Sequence, residues 1–430
     1  MARAANGTDR VIVLGIDTQI GLALVRELKA HGVEVYGVGY SAEAVGLYSR
    51  DLHHGSVTPR ETSARLAHLN GLAREHGVAT LMAVSEPDLL WLHQHRASLP
   101  GLKLLIPDAD KLAVVLDKSR VYALAREVGI ATPWAVEPET FEQIAALAPT
   151  LEYPVVLKWA RQNESMPLLH AHGLRSDKYR YCYDARELTA TLEPYRKVGV
   201  YPLVQSYCPG VGLGQMIFML EGKARLRFQH LRVHECPPEG GASSLCESRS
   251  LDSEPELLEK SVELLRRIGW TGPAMVEYRH DAATRRSVLM EINGRFWGSL
   301  PLAHHAGAHF GWFTYALLGK GVDPGPATYR VGVRCMHASP EMKRLAIIVL
   351  RPGAIQNRSL RFGRIATIAS FVAQMLDPRT TFYIFSWRDP RPAVMDAWFA
   401  LRRAWRGAAR SLAARLGGAA TRRDAPPRNG

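Results

Sequence analysis

The chain lacks most of the features that assign a function quickly. Its five cysteines, Cys182, Cys208, Cys236, Cys246 and Cys335, are scattered and odd in number, and none forms a C-x-x-C pair. Neither a zinc site nor a disulfide framework is indicated, and buried free thiols are the expectation for most of them. No apolar run reaches the ~20 residues of a membrane span. The longest, Ile365 to Leu376, falls well short, and Val11 to Leu14 is too short for the h-region of a secretory signal. The expectation is a cytoplasmic protein. The turn Gly15 to Gly21 lacks the full G-x-G-x-x-G, which weakens any dinucleotide-binding reading. No Ser–His or Cys–His nucleophile pair stands out.

Acidic residues are the minority, and the formal net charge is +13 over 430 residues. The excess is uneven. From Arg388 to Gly430 ten arginines face Asp389, Asp396 and Asp424, a net of +7, so the remainder of the chain is only mildly basic. A nucleic-acid role would need more than this local excess.

The first hundred residues alternate short β-rich runs with helical segments. Val11 to Leu14 and VEVYGVG read as strands around a helix from about Gly21 to His31. A helix over Thr62 to His76 precedes the strand ATLMAV, and Leu104 to Pro107 is a further strand. This is an α/β layout with a parallel sheet. Asp117 caps a helix running to Val128, with Gly129 as its terminating residue. Beyond it the strands YPVVLK, Leu203 to Tyr207 and Gln215 to Leu220 precede an amphipathic helix over Glu254 to Ile268. The strands Ala274 to Arg279 and Val288 to Ile292 flank the polar connector HDAATRRS, as in a hairpin.

That hairpin carries the chemistry. In LMEINGRFWGS, Glu291, Asn293 and Arg295 occupy alternate positions and so share a face, with Leu289 preceding them and Ile292, Gly294 and Phe296 opposite. Pairing about a midpoint near Thr284 sets Glu277 opposite Glu291. Facing carboxylates destabilise a hairpin unless a cation sits between them. Two carboxylates and the Asn293 amide oxygen are hard ligands suited to Mg²⁺ or Mn²⁺, with phosphate oxygens completing the shell. Arg295, one step on, would reach a phosphate or a developing anion. The competing reading is a surface hairpin stitched by weak cross-strand ion pairs.

The order of a strand ending V-V-x-K, a later V-E-Y and then M-E-I-N-G-R-F resembles the ATP-grasp superfamily, in particular its carboxylate–amine ligases, and more distantly biotin carboxylase and carbamoyl-phosphate synthetase. LDKSRVYALAREVGIATP resembles the segment leading into that fold. The resemblance covers roughly residues 10 to 315. It implies a Rossmann-like pre-ATP-grasp α/β domain over 1–112 and an α+β ATP-grasp domain over 113–328, with its nucleotide lid at about 134–204. A mostly helical C-terminal region over 329–418 and a disordered tail over 419–430 complete the reading. The implied reaction activates a carboxylate as an acyl phosphate, consumes ATP with Mg²⁺ or Mn²⁺, and joins the acyl group to an amine. Small-molecule substrates, no nucleic acid and a homo-oligomer belong to the same expectation.

The resemblance also implies roles. Lys158 matches the lysine that contacts nucleotide phosphate and the adenine edge, and Lys118 a second phosphate lysine, although a solvated first turn explains Lys118 equally well. Gln205, Ser206, Tyr207 and Cys208 match the hinge that pairs with adenine, where most relatives carry a Glu. Glu277, Glu291 and Asn293 match the metal ligands, and Arg295 the arginine of the acyl-phosphate stage. After Lys158 the family's glycine-rich lid is replaced by a segment whose only glycine is Gly173. Arg175, Ser176 and Lys178 are the substitute phosphate contacts, or else ordinary loop residues. On the acceptor side, Arg232 and His234 lie on a strand entering a Pro/Gly-rich loop, with Arg232 suited to clamp a carboxylate and Gly241 and Ser243 to approach a ligand. His304, His305 and His309 read as a structural helix with His305 and His309 on one face.

Finally, Val394, Trp398, Leu401, Trp405, Ala408 and Leu412 recur at spacings of four and three, forming one apolar stripe on a helix among Arg402, Arg403, Arg406, Arg410 and Arg415. Such a helix lies on an anionic membrane surface or packs on the enzyme or a partner subunit.

Overall fold

A computed structural model describes residues 9–159, 162–174, 177 and 179–420; the side chains of 162–164 and 407–420 are not described. The run VIVL is buried on both faces because it lies inside a parallel sheet. Ile12 and Leu14 point into one core and Val11 and Val13 into another, as the two-residue strand period requires. The sheet order is His54–Val57, Glu34–Gly39, Arg10–Leu14, Thr80–Ala83, Lys103–Leu104. Parallel neighbours need crossovers, supplied here by helices. Gln19–Ala30 buries Leu24, Val25 and Leu28 on one face of the sheet, and Thr62–His76 buries Leu69 and Leu72 on the other. The chain reverses its winding between Arg10–Leu14 and Thr80–Ala83, which opens a crevice beyond the carboxyl ends of these two strands.

Two further sheets follow. Ala135–Val136, Leu203–Ser206, Val155–Lys158 and Arg180–Cys182 form a small antiparallel sheet over its own core of Ile144, Leu157, Leu188 and Val204. A seven-stranded sheet runs Arg286–Asn293, Gly272–Asp281, Val211–Leu220, Lys223–Cys236, Ala242–Arg249, Arg334–Met336, Thr380–Phe382. Helix Pro255–Ile268 buries Leu258, Leu264, Leu265 and Ile268 in the same core as Tyr278 and Leu289. Asp117 caps helix Lys118–Glu127 by accepting from the backbone N–H of Ser119 and Arg120, and Gly129 beyond its end has φ +72°.

Four details depart from the sequence reading. The hairpin register pairs Glu277 with Glu291 but Tyr278 with Leu289, leaving Met290 as an extra residue. This bulge flips the strand, so Leu289 enters the core with Ile292 instead of sharing the face of Glu291, and Met290 takes the open face. His305 and His309 are not on one helix, because Leu300–Ala306 ends at Gly307 with φ +100°. His305 meets the carbonyl of Phe382, and His309 meets His31 at 2.7 Å. The C-terminal region is mostly helical, with Ala338–Leu350, Arg364–Leu376 and Arg391–Ala420, yet it also contributes two strands to the large sheet. The last helix reaches Ala420, so Ala419 and Ala420 of the expected disordered tail are helical, and 421–430 lie outside the described residues. Among the described residues no helix is long and apolar enough to cross a membrane, and all five cysteines are free, three of them buried.

Candidate active site

The three sheets meet at a cavity of about 620 Å³. Its floor is the hairpin: Met275, Glu277 and Arg279 from one strand, and Met290, Glu291 and Asn293 from the other. Because the register sets Glu277 directly against Glu291, two carboxylates share one face of adjacent strands. Each is held by a different cation. Lys118 Nζ donates to Glu291 at 2.8 Å, and Arg232 donates to Glu277 and also, at 3.2 Å, to Glu235. Arg279 donates to Glu235 at 2.7 Å, closing an alternating row of charges along the strands. Asn293 is 8% exposed, and its amide nitrogen lies 3.4 Å from Glu291.

Lys158 ends its strand at the same cavity. Burial, and next the Lys118 ammonium, push its pKa down to about 8. For Lys118, burial works in the same direction, but Glu291 outweighs it and the pKa is raised. The Lys118 charge in turn holds the Glu291 carboxyl well below the usual carboxylate range, against burial. The site thus has one firmly ionised lysine–carboxylate pair and one lysine poised near neutrality.

Gln205, Tyr207 and Cys208 line the cavity. Gln205 is 2% exposed, and its Oε1 has no partner among the described residues. Ser206 is absent from the lining, and its N–H is already donated to the carbonyl of Trp134 at 2.9 Å, because antiparallel strands send neighbouring residues to opposite sides. Arg232, Gly241 and Ser243, expected on the acceptor side, also line the cavity. Arg232 is not free to clamp a carboxylate, being engaged by Glu277, Glu235 and the carbonyl of Gly241. His234 does not line the cavity: register shifts on either side of it turn it onto Glu341, 2.7 Å away. Arg295 does reach the cavity and donates to Glu86 at 3.1 Å. Arg175, Ser176 and Lys178 lie outside the described residues.

Several lining residues were not among those that the sequence singled out. Thr18, Gln19, Ser85 and Glu86 follow the strands Arg10–Leu14 and Thr80–Ala83, so the crevice of the parallel sheet opens into the cavity. Trp159, Tyr179 and Tyr181 form an aromatic wall, and burial raises the pKa of both tyrosines, keeping them neutral. His337 comes from the C-terminal region, and burial lowers its pKa to about 4, so it is uncharged at neutral pH. Only the strand-crevice residues had a usable clue, their place after the first and fourth strands.

No family model matches the sequence. The chain is 27% identical over 211 residues to the vancomycin/teicoplanin A-type resistance protein VanA of Enterococcus faecium; the match spans 45% of this chain and 57% of that protein, little more than half its length. The fold is similar to the biotin carboxylase domain of Hydrogenobacter thermophilus 2-oxoglutarate carboxylase, solved with MgADP, ADP and bicarbonate. The TM-score there is 0.59 at 14% identity, over 77% of this chain and 74% of that one. It is also similar to the N5-carboxyaminoimidazole ribonucleotide synthetase of Thermus thermophilus, with TM-score 0.55 at 15% identity over 75% and 80% of the two chains. The chain has the ATP-grasp fold. In ATP-grasp terms, the small sheet carrying Lys158 and the large sheet carrying Glu277 and Glu291 are the two halves that enclose the cavity.

Proposed function

We propose that the protein is an ATP-dependent carboxylate–amine ligase that forms ADP. The observation that carries this reading is that Lys158 and the Lys118–Glu291 ion pair line one cavity, where Glu291 stands opposite Glu277. Lysines at that position neutralise a polyphosphate, and paired carboxylates hold the cation that accompanies it. The likeness to a structure solved with MgADP supports ATP and Mg²⁺ as cofactors, with Mn²⁺ as a substitute.

The donor set fits such a metal. Among the described residues no three His, Cys, Asp or Glu side chains cluster as a self-sufficient metal site. Two carboxylates and an amide suffice for Mg²⁺, which keeps water and takes its remaining ligands from phosphate. Glu277, Glu291 and Asn293 would hold it, and bound there it would neutralise charge on the phosphates.

The chain's own residues do the rest. Lys158 and Lys118 bind and orient the nucleotide phosphates, and Gln205, Tyr207 and Cys208 take the adenine side. A substrate carboxylate oxygen attacks the γ-phosphorus, the bond to ADP breaks, and Arg295 balances the negative charge of the acyl phosphate. An amine nitrogen then attacks the acyl carbon, the bond to phosphate breaks, and the nitrogen gives up a proton to water as phosphate leaves. The acceptor end, between Gly241, Ser243 and the crevice residues, takes small molecules. The test is incubation with ATP, Mg²⁺ and pools of carboxylates and amines. ADP and phosphate release that requires both substrates is expected; ATP hydrolysis indifferent to them would remove the ligase reading.

A nucleotide-binding scaffold with a degenerate site is the second reading. It rests on the glycine-poor segment after Lys158, where Gly173 stands alone. ATP binding without turnover across the same pools selects it.

A further inference from the structure

The helix Arg391–Ala420 is held to the N-terminal domain by polar clamps and turns apolar side chains outward. At its start Asp389, 1% exposed, accepts from Arg26 at 3.1 Å, from the Ser49 hydroxyl at 2.6 Å and from the Arg50 N–H at 3.1 Å. Three turns on, Glu43 accepts from Arg402 and Arg403. Between the clamps Phe399 is buried against Tyr48. The predicted stripe faces the other way: Val394, Trp398, Leu401 and Trp405 are 63%, 56%, 64% and 72% exposed. Trp387, just before the helix, is 89% exposed. A helix that spends its ionic contacts inward and its tryptophans outward is inverted relative to an ordinary surface helix.

We propose that this outward face docks on an anionic lipid surface. Exposed Arg388 and Arg391 flank it, and the segment from Arg388 to Gly430 has a net charge of +7. Charge of that sign attracts an anionic headgroup layer and repels a second copy of the same face. Tryptophan beside arginine is the composition of an element lying in the membrane interface, where the ring enters the acyl boundary and the guanidinium stays among the headgroups. The helix itself is not apolar enough to span the bilayer, so it would lie in the interface. The proposal does not depend on the ligase reading.

The test uses the full chain with vesicles of phosphatidylcholine alone or mixed equally with phosphatidylglycerol, read by co-sedimentation and tryptophan emission. Co-sedimentation with the mixed vesicles, a blue-shifted emission, no binding to phosphatidylcholine alone and release by salt are expected. The double variant Trp398→Ser, Trp405→Ser should lose roughly tenfold or more in partition while its melting temperature stays unchanged. Leu401→Ser, at an independent exposed site, should weaken partition as well. Failure to bind the anionic vesicles, or binding unchanged in these variants, overturns the proposal. So does sedimentation equilibrium showing a dimer that the double variant dissociates, since that assigns the face to a second copy.

Discussion

Glu277 and Glu291 face each other across the hairpin, and each is neutralised from outside the pair, Glu277 by Arg232 and Glu291 by Lys118. The pairing is therefore stable in the free protein without forcing two bare carboxylates together. Exchange of Lys118 from Glu291 to a phosphate would release the carboxylate for a cation at the moment nucleotide arrives. Glu291→Gln keeps an oxygen acceptor for Lys118 but loses the charge. Metal-dependent ATP turnover should fall by on the order of 10²–10³, with the far-ultraviolet circular dichroism spectrum unchanged. Turnover at the parent rate would remove Glu291 from the site.

The pKa of Lys158, about 8, predicts a pH limb. If its ammonium binds phosphate, ATP affinity should weaken as pH rises through 8. Lys118→Met removes the neighbouring positive charge and frees Glu291, and both changes raise the Lys158 pKa, so the limb should move to higher pH. Calorimetric titration with ATP across pH 7 to 10 measures both. The sign for stability is opposite to that of an ordinary lysine ion pair. Because the folded pKa lies below the unfolded value of 10.5, the penalty of the buried charge is complete below pH 8. It is relieved between 8 and 10.5, where the unfolded chain binds the extra proton.

Arg295 joins the hairpin to the N-terminal domain through Glu86. If it serves the acyl-phosphate stage, Arg295→Ala should lower kcat by roughly a hundredfold while ATP affinity stays at the parent value. Steady-state kinetics on the active substrate pair, set beside binding of ATP alone, separates the two effects. An equal loss in both would assign Arg295 to nucleotide binding instead.

Gly294 directly follows the strand that ends at Asn293, and a Cβ there would lie 2.5 Å from the ring of Trp270, which is 1% exposed. Gly294→Ala should cost about 1–3 kcal/mol through overpacking. Thermal melting checks this, and a variant as stable as the parent would show that the indole can shift.

The opposition of Glu277 and Glu291 was legible because a hairpin with one polar connector has a definable midpoint, and the strand period does the rest. The bulge at Met290 was not, since an extra apolar residue looks the same whether it lies in the ladder or out of it. Lys158 could be placed at the site only through the resemblance of YPVVLK to the ATP-grasp strand, since a strand-end lysine by itself looks like a surface residue. His234 could not be excluded, because register shifts beside Arg232 depend on how three strands meet. Thr18, Ser85 and Glu86 were hidden for a different reason: the parallel sheet was readable from its apolar runs, but the side on which its crevice docks is tertiary information. The stripe from Val394 to Trp405 was readable as a period, whereas its direction was fixed by Asp389 and Glu43, two single acids with no pattern around them.

The crevice at the ends of Arg10–Leu14 and Thr80–Ala83 has a consequence for how such a molecule diversifies. The loops there can change length and chemistry without disturbing Lys118, Lys158 or the two facing glutamates, because they are anchored in a separate sheet. On the ligase reading, the crevice side of the acceptor end and the lysines that would hold the phosphates lie on different parts of the chain. Grafting the two loops from a relative should redirect what is joined while leaving the energy source as it was.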